Sequence, residues 1–152
     1  MTTIYTVRLQ MWSPNAAALA ARKVGANLLD ITVGSGGTDG APFAPLERAK
    51  DEALESRKFA QKLRARDPHK ADRVEAAAWA TYCEAFAVQM ANSQAENPEV
   101  WNRRRWGSDL ALGCYCGEWT MGTGAKVLHC HRVLVADIFA ALGCKLGGEL
   151  SL

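Results

Sequence analysis

The run Leu110-Ala111-Leu112-Gly113-Cys114-Tyr115-Cys116 carries no charged side chain and is the most hydrophobic strand candidate in the chain. Side chains alternate along a strand, so Cys114 and Cys116 share one face and Tyr115 takes the other. Two shorter runs have the same character. Ile4 to Leu9 is β-branched and aromatic, and Leu28 to Val33 is rich in branched residues and too short for a typical helix, which predicts a second, buried strand.

Helical stretches lie between these runs. Ser13-Pro14 reads as an N-cap followed by proline at the first helical position, leading into Ala16 to Val24 with Gly25 as the stop. Leu46 to Arg66 carries apolar residues at helical spacing, and Asp67-Pro68 ends or kinks it. From Ala71 the periodicity resumes: Trp79, Tyr82, Cys83, Phe86 and Met90 fall on one stripe, which predicts core, with Cys83 as a small buried hydrophobe. Asn97-Pro98 opens a shorter helix in which Trp101 and Trp106 pack and Arg103, Arg104 and Arg105 face outward. A last helix runs from about His131 to Leu142, closed by Gly143, with short extended pieces at Lys126 to Leu128 and around Leu146 to Leu150. Strands separated by helices predict an α/β sandwich with a mostly parallel sheet flanked by helices, a single domain over residues 1–152.

A chain of this length can bury roughly 70% of its unfolded surface and needs no disulfide staple. Five cysteines is an odd number, and no charged-then-apolar leader opens the chain, so a reducing cytoplasm is the expected compartment. No apolar run is long enough to span a bilayer, so no membrane partner is expected. The formal net charge of +2 is too small to argue for general nucleic-acid binding. Its distribution is uneven, with Arg57, Lys58, Lys62, Arg64, Arg66, Lys70 and Arg73 in one cluster and Arg103 to Arg105 in another. These read first as solvated helix faces and second as a groove for nucleic-acid phosphates.

The chemistry concentrates where the last helix begins. Helix-start amides together with Arg132 suit a phosphate or carboxylate. Cys130, flanked by His129 and His131, is the candidate nucleophile, with His131 for proton transfer. The phosphatase loop, with five residues between cysteine and arginine, is absent. On the opposite side, Gly34 to Gly40 follows a buried strand and can bring backbone amides to a ligand, with Asp30, Thr32 and Ser35 as candidate contacts. Cys116 and Trp119 complete the expected ligand-binding set. No cofactor is required. If a metal is present, zinc on Cys114, Cys116, Cys130 and His129 has the right donor inventory, although one residue, not two, separates the paired cysteines.

Taken together, Ile4-Tyr5-Thr6-Val7, Leu28-Leu29-Asp30-Ile31, Phe43-Ala44-Pro45, Tyr82 to Phe86 with Met90, Leu112 to Cys116, and Cys130-His131-Arg132 resemble domain-of-unknown-function family 488, in particular its short phage and bacterial mobile-element members. The resemblance implies an α/β domain with a pocket between the Asp30 loop and the Cys130-His131-Arg132 helix start. The chain differs from the family pattern in its longer segment between Cys116 and Cys130. The leading expectation is a small cytoplasmic protein that binds, and can process, a phosphate-bearing or nucleotide-like small molecule. The alternatives are a zinc-stabilised nucleic-acid-binding module and a protein-interaction module anchored by Trp12 or Trp119.

Overall fold

The computed structural model describes residues 1–34 and 37–152. The strand candidates form one sheet. β1 (Thr3–Arg8), β2 (Asn27–Asp30), β3 (Leu110–Cys114) and β6 (Lys145–Leu150) pair wholly in parallel in the order β2-β3-β1-β6. Parallel pairing requires crossovers, which are supplied by α1 (Ala16–Lys23), by α3 (Glu47–Leu63), α4 (Pro68–Glu96) and α5 (Pro98–Trp106), and by α6 (His131–Ala141). A four-residue helix, α2 (Gly37–Gly40), and a 3₁₀ turn (Ala41–Phe43) connect β2 to α3. A two-stranded antiparallel hairpin, β4 (Trp119–Thr120) and β5 (Lys126–Val127), fills the segment between Cys116 and Cys130. Among the described residues, no helix is long and apolar enough to cross a membrane.

Alternation along the strands explains how both sheet faces are buried. Val7 and Ala111 meet Ala17 and Ala21 of α1 on one face. Ile4, Leu110 and Leu112 meet Val135 and Phe139 of α6 on the other, joined by Phe43, Phe86, Met90 and Trp101. The alanine face of α1 lets that short helix sit close to the sheet. Gly113 is part of the same economy, because a Cβ there would come within 2.8 Å of Leu9 Cδ2. Phe43, Trp101 and Phe139 make an aromatic cluster with centroids 4.8 to 5.8 Å apart.

Several sequence boundaries shift for local reasons. α1 starts at Ala16 because Ser13 is used in a turn, its carbonyl accepting from the Ala16 amide at 3.1 Å. β2 ends at Asp30, whose Oδ1 accepts from the Thr32 amide at 2.8 Å and turns the chain out of the sheet. Asp67 caps α4 through the Lys70 amide at 2.9 Å with Pro68 in the first turn, so the helix begins before Ala71. The expected Trp101–Trp106 pair does not form. Trp101 is buried, whereas Trp106 is 64% exposed under the Arg105 guanidinium. Nor do Arg103 to Arg105 make one outward patch: Arg103 is exposed, while Arg104 and Arg105 are half-buried, Arg104 lying 3.8 Å from Asp39.

This topology places the site. β1 and β3 are neighbours, yet α1, which follows β1, and α6, which follows β3, pack on opposite faces. The chain therefore diverges at the carboxyl ends of these two strands, the usual position of a ligand crevice in an open parallel sheet. Arg8 and Cys114 are paired there as the last residues of their strands.

Candidate functional site

Three thiols and an imidazole converge at this edge. Cys114 ends β3, Cys116 follows in the loop, Cys130 is the N-cap of α6 and His131 its first residue. Cys114 Sγ lies 3.6 Å from Cys116 Sγ, and His131 Nδ1 lies 3.9 Å from both Cys114 Sγ and Cys130 Sγ. His131 Nε2 is 2.7 Å from the Ile31 carbonyl at the end of β2, so this nitrogen carries the proton and the Nδ1 lone pair faces the sulfurs. Cys114, Cys130 and His131 offer ligand atoms within 4.8 Å of one another and can hold a metal ion.

These groups form the floor of a cavity of about 360 Å³, within the usual size range of small-molecule sites. Glu75, Trp79 and Tyr82 of α4 stand at i, i+4 and i+7 and make one wall, while Lys50, Leu54 and Arg57 of α3 make another. The His129 ring stacks on Trp79 at 4.5 Å and 6°. Glu75 fixes the assembly from behind: its Oε1 lies 3.1 Å from both Arg57 Nε and His129 Nδ1, and Arg57 Nη2 donates to the His129 carbonyl at 2.8 Å. Among the described residues, Glu75 Oε2 and Thr32 Oγ1 are buried without a hydrogen-bond partner, and both residues line this cavity.

Burial pushes the His131 pKa down, and the hydrogen bond to Ile31 offsets only part of that, so the imidazole is neutral. Hydrogen bonds among the three thiols separate their tendencies to ionise. The Cys116 thiol is pulled down because Cys114 and Cys130 donate to its sulfur, helped by the nearby His131 and Arg57. Cys114 is pushed up, chiefly as the donor to Cys116, and Cys130 is pushed up by its hydrogen bonds to both other cysteines and by burial. Burial also raises Tyr82.

Cys130, His131, Cys116 and Thr32 all line this one cavity. The accessible thiol is Cys116, however; Cys130 is 2% exposed and its sulfur accepts from Arg132 Nη1 at 3.4 Å. Arg132 is not a free anion holder. It is 1% exposed, and its guanidinium donates to Glu149 at 2.8 and 3.3 Å and to the Cys116 carbonyl at 2.6 Å. Thr6 donates to Glu149 from β1. His129 faces Glu75 rather than the sulfurs, so the nitrogen available to a metal belongs to His131. Asp30 is engaged in its own turn, and Ser35 lies outside the described residues. Trp119 packs under the Arg57 guanidinium at 5.5 Å, away from this cavity's lining. The basic cluster of α3 and α4 is thinned accordingly, with Arg57 turned inward and Arg64 donating to the Met121 carbonyl at 2.9 Å.

Sequence reasoning assigned Trp79 and Tyr82 to core and overlooked Glu75. The available signal was the acid four residues before Trp79 on the same helical face. A carboxylate continuing an aromatic stripe is out of place in a core unless it is paired.

An open parallel α/β sheet with a thiol–imidazole cluster at a strand-end crevice defines the class. Within it, the chain belongs to the DUF488 family: residues 56–143, more than half of its length, match the model described as the active DUF488-N3 subclade. Comparison with curated proteins and comparison with solved structures each returned no match.

Proposed function

We propose that the protein binds and processes a planar, phosphate-bearing or nucleotide-like small molecule, in keeping with a cytoplasmic protein whose thiols stay free. The observation that carries this is the cavity itself: one aromatic wall, two cations and a floor of sulfur and imidazole. A ring lies against the stacked Trp79–His129 pair. Lys50, with Asp51 3.7 Å away, faces its anionic group while Arg57 is held by Glu75 and the His129 carbonyl, and the buried Glu75 and Thr32 oxygens select ligands that bring hydrogen-bond donors. The reacting atom then meets Cys116, the accessible thiol, whose hydrogen-bond partner Cys114 connects it to the His131 Nδ1 lone pair as proton acceptor.

Tryptophan fluorescence during titration with a panel of nucleoside monophosphates tests the reading. A binder is expected, Trp79→Ala should weaken it at least tenfold, and Cys116→Ser should abolish turnover while affinity persists. Binding indifferent to Trp79→Ala would refute it.

A zinc ion on the same floor is a second reading, favoured by the short separations among Cys114, Cys130 and His131. A metal there would act as a Lewis acid or staple the sheet edge.

A further inference from the structure

We infer that the cavity floor is a four-coordinate zinc centre in which Cys116 is the fourth ligand, so that the metal faces the ligand cavity through that sulfur. The inference rests on the zinc reading above. In a tetrahedral site with Zn–S of about 2.3 Å and Zn–N of about 2.0–2.1 Å, ligand atoms stand roughly 3.6–3.8 Å apart. Cys114, Cys130 and His131 lie within 4.8 Å of one another, with His131 Nδ1 3.9 Å from each sulfur; Cys116 stands outside that group, 3.6 Å from Cys114, and completes the tetrahedron by closing in from its loop as the metal binds. Cys114 is the last residue of β3 and Cys116 follows a bend at Tyr115, which returns its sulfur to 3.6 Å from that of Cys114.

Two surrounding features fit a metal centre. His131 donates Nε2–H to the Ile31 carbonyl, the outer contact that fixes the ring and aims Nδ1 inward in metal-bound histidines. Arg132 is among the most deeply buried side chains, while its carboxylate partner Glu149 is 39% exposed. Three thiolates around a zinc dication leave one net negative charge. Arg132, whose charge is shared with Glu149, lies against it through Cys130 Sγ and the Cys116 carbonyl. Of the four ligands, Cys114, Cys130 and His131 are buried and Cys116 is half-buried. An incoming molecule therefore approaches the centre through the Cys116 corner.

Anaerobic titration of the reduced, metal-free full chain with cobalt(II) reads the site without any enzymatic assay. One cobalt per chain should give the visible bands of a tetrahedral ion and strong sulfur-to-cobalt charge transfer, and added zinc should erase them. Cys116→Ser should retain uptake with charge transfer reduced by about a third, as two sulfurs replace three. His129→Ala should leave the spectrum unchanged. Trp79→Ala should do so too, so the cavity reading and the metal reading can fail separately. Zinc should also raise the melting temperature of the metal-free protein. A folded wild-type chain showing no saturable cobalt spectrum overturns the centre. A Cys116→Ser spectrum identical to wild type, or loss of the spectrum in His129→Ala, overturns the ligand assignment.

Discussion

Glu75→Gln tests how the cavity wall is held. The residue is 2% exposed, and one of its oxygens serves both Arg57 and His129 at 3.1 Å. Hydrogen bonds to a charged group contribute about 1.5–3 kcal/mol each, against about 0.5–1.5 for neutral ones, so weakening two costs roughly 2–3 kcal/mol. Against this stands the relief of no longer burying a carboxylate oxygen without a partner, about 1 kcal/mol. The net is about 1–2 kcal/mol of destabilisation. For a chain of this size each kcal/mol shifts the melting temperature by about 2–4 °C, giving a drop of roughly 2–8 °C by calorimetry or circular dichroism. A double-mutant cycle with Arg57→Met should show coupling above about 0.5 kcal/mol, because the two residues share a bond. An unchanged or raised melting temperature, or additive effects of the two substitutions, would refute the view that Glu75 organises the wall.

Phe139→Ala removes a fully buried ring in contact with Phe43 and Trp101 and should cost about 3–5 kcal/mol in urea denaturation. Gly40→Ala should be markedly destabilising and reduce cavity binding, since a Cβ would stand 1.9 Å from the Asp30 carbonyl oxygen, a backbone atom that cannot swing away. Gly113→Ala should be milder, because the nearest obstacle is the end of a leucine side chain. Hydrogen bonds from the Thr123 side chain and the Gly122 and Thr123 amides hold the Asp72 pKa below its ordinary value of 3.8. The stabilisation is therefore complete above that value and is lost as pH falls through the lowered one. Asp72→Asn should reproduce the acid effect at neutral pH, seen as faster amide exchange at Gly122 and Thr123.

The fold was legible because its strands announce themselves by composition. Leu110 to Cys114 and the pair Leu28-Leu29 are apolar on both faces, as strands of a sheet covered on both sides must be. Boundaries were less legible because single side chains set them, such as the Asp30 oxygen that stops β2. At the site, the meeting of Cys114 with Cys130 and His131 followed from strand-end and helix-start placement, whereas Cys116 lies past the end of β3 and is positioned by a bend. The role of Arg132 did not follow from such placement. A guanidinium at a helix start looks like an anion holder until Glu149, a residue of the last strand, is brought beside it by sheet order. Tyr82 packs against the core as its stripe predicts, but the cavity-facing side of Trp79 and Tyr82 was not legible, for a related reason. Helical spacing identifies a stripe but not what faces it, and only α3 and the thiol floor turn this stripe into a cavity wall.

Co-crystallisation with the tightest binder from the nucleotide panel tests the cavity most directly. Density for the ring against Trp79 and His129, with its reactive end at Cys116 and His131, is the expected result. Density instead in the open groove lined by Arg8, Lys126 and Glu149, with the thiol-floored cavity unchanged, would contradict it.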